Sequence, residues 1–139
     1  MGSIVVGYDG SDSSKAALAR AVELANGLGD DVALVFGYSP PGTWGGEIAE
    51  HEEAIEEFGE KLMGEARQQV QAGEVEVSYE LVPKRGAEAM LDVARQRDAR
   101  MIVVGGAGEA PLKGAILGST PYKLLHQTER PVLVVPARR

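Results

Sequence analysis

Strand-like and helix-like segments alternate strictly along this chain, and no other feature narrows its possible folds as far. Apolar, β-branched runs stand at Ile4 to Tyr8, DVALVFGY (31–38), MIVV (101–104) and VLVV (132–135). EVEVSYELV (74–82) alternates instead, with Val75, Val77, Tyr79 and Leu81 on one side and Glu76, Ser78 and Glu80 on the other, as a half-exposed edge strand would. The stretches between carry apolar residues at helical spacing. Lys15 to Leu28 follows DGSDSS, which supplies a cap at Ser11 or Ser13, and meets stop signals at Gly27 and Gly29. Ile55, Phe58, Leu62, Ala66 and Val70 line one face of a second helix. Gly86 opens a third, whose Ala87, Met90, Leu91 and Ala94 face inward, and STPYKLLHQ (119–127) is the fourth. The order β-α-β-α-β-α-β-α-β predicts an α/β fold, a five-stranded parallel sheet with helices on both faces and right-handed crossovers. Ligands of such sheets bind beyond the carboxyl ends of the strands, where the strand order reverses. With the first and fourth strands as central neighbours, that crevice lies between Asp9 and Gly105.

Composition closes several routes. At 139 residues the chain fits one domain, residues 1–139. Lack of cysteine excludes disulfides, thiolate metal sites and a cysteine nucleophile. His51 and His126 lie on helices with no acid or nucleophile placed to partner them, and both are expected at the surface. No apolar run approaches a membrane span and no basic leader precedes the first strand, so a soluble cytoplasmic protein is expected. Between Glu47 and Glu65 eight glutamates face one lysine, a local balance of −7 that equals the formal net charge of the whole chain. The acidity therefore belongs to the outer face of one helix, and no basic stripe is available for nucleic acid.

The glycine-rich segment after the fourth strand reads Gly105-x2-Gly108-x9-Gly118-Ser119. Glycines there let backbone N–H groups turn toward a ligand, and Gly118-Ser119-Thr120 stands at the start of a helix. Pro121 suits the first helical position, with Ser119 or Thr120 as cap. Free N–H groups, a hydroxyl and the positive end of a helix dipole then converge on one point, which a phosphate would satisfy. The alternative is a connecting loop whose glycines only turn the chain, the role expected of Gly114, which lies outside the pattern. Asp9, between a strand and a glycine, likewise has a turn role as its alternative.

The spacing G-x2-G-x9-G-S, the opening IVVGYDGSDSSKAAL, the stretch RGAEAMLDVARQRDARMIVVGG and the ending RPVLVVP together resemble a universal stress protein of the single-domain, nucleotide-binding kind. The likeness covers nearly the whole chain. It implies strand order 3-2-1-4-5 in a Rossmann-like sheet of the adenine nucleotide alpha hydrolase type, ATP with Mg2+ on its phosphates bound across the switch point, and a homodimer. By that resemblance Asp9 meets the nucleoside with Gly7 beside it, and Gly37 offers backbone at the end of the second strand, where relatives often carry valine. Val104 and Gly105 follow the nucleoside, and Gly108, Gly118, Ser119 and Thr120 hold the phosphates. GGAG departs from relatives that place a serine or threonine and a basic or polar residue between these glycines.

The function implied is a nucleotide-dependent sensor or regulatory module in stress response. An adenylating enzyme would need a serine and paired glycines after the first strand, where this chain has Tyr8 and Asp9, and a carboxylate there repels phosphates. A slow ATPase would need a base, and the sequence offers neither that nor a P-loop lysine. A dimerisation module that does not retain nucleotide is the remaining alternative. Val132, Leu133, Val134 and Val135 form an apolar, uncharged edge bracketed by Pro131 and Pro136, which suits a short antiparallel contact between two copies.

Overall fold

The structure is a computed structural model that describes residues 2–38, 47–70, 75–106 and 119–136, with side chains from residue 53 in the second helix and from residue 120 in the fourth. Its elements are β1 (Ser3–Gly7), α1 (Asp12–Leu28), β2 (Asp31–Gly37), α2 (Glu47–Gln69), β3 (Val77–Val82), α3 (Gly86–Arg97), β4 (Met101–Gly105), α4 (Ser119–Gln127) and β5 (Val132–Val135). The sheet is parallel throughout, in the order β3-β2-β1-β4-β5. This is the expected topology.

Period-two alternation in the central strands divides the apolar residues between two cores. Ile4 and Val6 of β1 pack with Ala17, Leu18 and Ala21 of α1 and with Leu62, Met63 and Ala66 of α2. Val5 faces the other way, onto Met90, Val93 and Ala94 of α3 and Leu124 of α4. Both faces of β1 and β4 are covered, which is why their sequences are continuously apolar. Each such side chain, fully removed from water, contributes about 1.5–3 kcal/mol.

Ser11 caps α1, accepting the Ser14 N–H at 3.2 Å. The helix runs through Gly27 and stops at Gly29, whose left-handed φ of 73° lets its N–H return to the Ala25 carbonyl. Gly27 is therefore helical and only Gly29 is a stop. The stripe expected on α2 is buried at Leu62 and Ala66, whereas Phe58 remains 50% exposed. The helix also approaches the sheet tightly at Gly59, where a Cβ would stand 2.6 Å from Leu81 Cδ2.

At the amino ends of the strands, the buried Asp30 carboxylate accepts the Gly2 N–H at 2.9 Å and both Nε (2.5 Å) and Nη2 (3.1 Å) of Arg100. The Arg100 hydrogen bonds hold its carboxyl below the usual carboxylate range. Backbone bonds from Asp31 to Gly2 and from Arg100 to Ser3 complete a clasp across β1, β2 and β4. Among the described residues no helix is long and apolar enough to cross a membrane.

Candidate functional site

At the carboxyl edge of the sheet β1 gives way to a tight turn. Asp9 Oδ1 accepts the Ser11 N–H at 2.9 Å, and Gly10 between them adopts φ 83°, which favours glycine. The Asp9 N–H reaches Ser14 Oγ at 3.4 Å, and that hydroxyl donates to the Ser11 carbonyl at 2.9 Å. Asp9 thus builds the turn with one oxygen and stays partly exposed, its Oδ2 without a partner among the described residues. At the start of α1 the Ser14 N–H is thus capped by Ser11, and Asp12 adds a negative charge in the first turn.

The glycines that end the strands serve packing on one side. A Cβ on Gly7 would stand 2.5 Å from Met90 Sδ. One on Gly105 would meet Ser13 Oγ at 2.5 Å and Ser13 C at 2.7 Å. One on Gly37 would meet the Lys84 carbonyl at 2.7 Å and Gly86 Cα at 2.9 Å. Side-chain space at all three is already filled by α3, α1 or the segment between β3 and α3. A ligand can use only their backbone edges, as it can at Val104, whose side chain is buried in the second core.

Gly108 and Gly118 lie outside the described residues. Ser119 is the first residue of α4, so Pro121 occupies the third helical position rather than the first. Its ring still falls in the first turn, where a missing N–H breaks no helical bond. Thr120 follows, and its Oγ1 lies 3.8 Å from where a Cβ on Gly86 would stand. The N-termini of α3 and α4 therefore meet. Arg85 at the cap position of α3 makes no side-chain capping bond, so this helix start, unlike that of α1, lacks an internal acceptor. The N-terminal ends of two helices thus come together at this place, with Arg85 at the cap position of α3 and Glu88 in its first turn. Arg85 and Gly86 were not among the expected site residues; an uncapped helix start right after a strand end was the available signal.

Beside the Asp9 turn, the Tyr8 hydroxyl is buried without a hydrogen-bond partner among the described residues. Burial, together with the charges of Glu65 and Asp9, pushes its pKa up.

The model of the universal stress protein family matches residues 1–136. The chain belongs to this family. A universal stress protein of Thermus aquaticus is 34% identical over 95% of this chain and 96% of its own. A universal stress protein crystallised in complex with cAMP superposes with a TM-score of 0.71 at 25% identity, covering 99% of this chain and 98% of the other. The universal stress protein of Lactobacillus plantarum reaches a TM-score of 0.83 over 96% and 97% of the two chains, a likeness of fold at 19% identity. Strand order and helix placement are thus those of universal stress proteins.

Proposed function

We propose that this universal stress protein binds an adenine nucleotide, ATP with Mg2+ on its phosphates, and acts as a nucleotide-dependent regulatory module in stress response. The observation that carries the reading is the meeting of the α3 and α4 N-termini at Gly86 and Thr120, on the edge where the strand order reverses between β1 and β4. The structural neighbour that holds cAMP supports adenine as the base. Asp9 takes the nucleoside, with backbone from Gly7, Gly37, Val104 and Gly105. Gly108, Gly118, Ser119 and Thr120 hold the phosphates. The molecule works as one cytoplasmic domain, residues 1–139, paired with a second copy through β5. Support for that pairing comes from the terminal place of β5 in the sheet and from Leu133, 38% exposed on it.

Calorimetric titration of ATP, cAMP and inorganic triphosphate tests the nucleotide assignment. Asp9→Asn keeps an acceptor for the Ser11 N–H and removes the charge, so the turn survives. It is expected to weaken ATP about tenfold, or 1.4 kcal/mol, and to leave triphosphate nearly unchanged. Thr120→Val should weaken both. Equal losses of ATP and triphosphate in Asp9→Asn would reverse the two ends of the ligand. A native protein that binds neither ATP nor cAMP, and releases no nucleotide when denatured after purification, would remove the reading.

A further inference from the structure

At Phe58, midway along α2, the helix carries apolar surface that the core does not use. Phe58 lies in the helix's apolar stripe yet stays 50% exposed, while Leu62, Met63 and Ala66 anchor the helix. Its ring meets Phe36 of β2 edge-on at 5.9 Å, and Phe36 stacks at 6.2 Å on Tyr38, just past the end of the same strand. Phe36 and Tyr38 are themselves only partly buried. Three rings form a continuous ledge.

Charge decides what can lie on it. Glu53, Glu56, Glu57 and Glu60 are exposed on the adjoining outer face of α2, and none forms an ion pair among the described residues. Lys61 is the single cation of that stretch. A second copy of this chain would bring the same acidic face against itself, and anionic lipid or nucleic acid would be repelled. Cationic side chains flanking an apolar strip fit both properties at once. We propose that the Phe36, Tyr38 and Phe58 ledge docks a basic amphipathic helical segment of a partner protein, its apolar side on the rings and its lysines or arginines on the α2 glutamates.

The probe is a fluorescein-labelled amphipathic peptide of lysine and leucine with one tryptophan on its apolar side, read by anisotropy at about 150 mM salt, where the Debye length is about 8 Å. The same peptide with glutamate for lysine is the control. Saturable one-to-one binding of the basic peptide alone is expected. Phe58→Ser and the double variant Glu53→Gln with Glu57→Gln should each weaken it about tenfold or more. Glu23→Gln, at an exposed position of α1, should leave it unchanged, and circular dichroism checks that each variant is folded. Undiminished binding by Phe58→Ser, or an equal loss in Glu23→Gln, would overturn the proposal, since the attraction would then be charge without a site. A change in adenine nucleotide affinity or oligomeric state in Phe58→Ser would also overturn it, by assigning the ledge to the crevice or to self-association.

Discussion

At the scale of the residue, the glycines show how far a sequence pattern reaches. Their placement after strands was readable, but which neighbour takes up the missing side-chain volume depends on residues far away in the chain. Ser13 lies more than ninety positions from Gly105 and occupies the space its Cβ would need. Gly105→Ala is therefore expected to destabilise the protein by about 1–3 kcal/mol through overpacking, measured by urea denaturation. A loss of ligand affinity with unchanged stability would show instead that the space belongs to the ligand. Ser78 offers the opposite case. Its hydroxyl is buried without a partner among the described residues, so Ser78→Ala should raise stability by about 1 kcal/mol in the same assay. Asp9 was legible as both a turn residue and a ligand contact, and its turn role is the one the hydrogen bonds display.

Among the elements, the two sheet edges differ in protection. On β3, the Arg67 guanidinium lies 4.5 Å over the Tyr79 ring, and Arg97 Nε reaches Glu80 at 3.2 Å. Cations thus flank that edge from both faces, in keeping with the glutamates its sequence displayed. β5 bears only Val132, Leu133, Val134 and Val135. If it pairs with a second copy, Leu133→Lys should give a monomer in multi-angle light scattering and leave nucleotide titrations unchanged. Leu133 is the better site because Val134 packs against the second core, where a lysine would also lose solvation. A dimer that persists in Leu133→Lys would move the contact elsewhere. The helices were legible from spacing, yet spacing could not show that Phe58 escapes burial. A periodic stripe tells which face of a helix is apolar and says nothing of how far the sheet beneath it extends.

In the molecule as a whole, strict alternation of segment types was enough to predict a parallel sheet, while its strand order came from the family resemblance. The clasp at the amino edge was not legible, since Asp30 and Arg100 carry no local pattern. Its pH behaviour has a definite sign. The native Asp30 carboxyl titrates below its unfolded value of about 3.9, so the clasp's contribution is complete above about pH 4 and is lost as pH falls through the native value. Asp30→Asn should melt lower than the native protein at pH 7, and the gap should narrow below pH 4 in thermal scans. A gap that stays constant down to pH 2 would mean that the ionised carboxylate contributes nothing. The pairing of β1 with β4 has another consequence, in time. Ile4 lies opposite Met101, and roughly a hundred residues must leave the ribosome before that partner exists. At about 5–20 residues per second, a strand whose Ile4, Val5 and Val6 end fully buried waits some 5–20 seconds with one side open. The newborn chain is thus most exposed to wrong pairing along the strand that becomes the centre of its sheet.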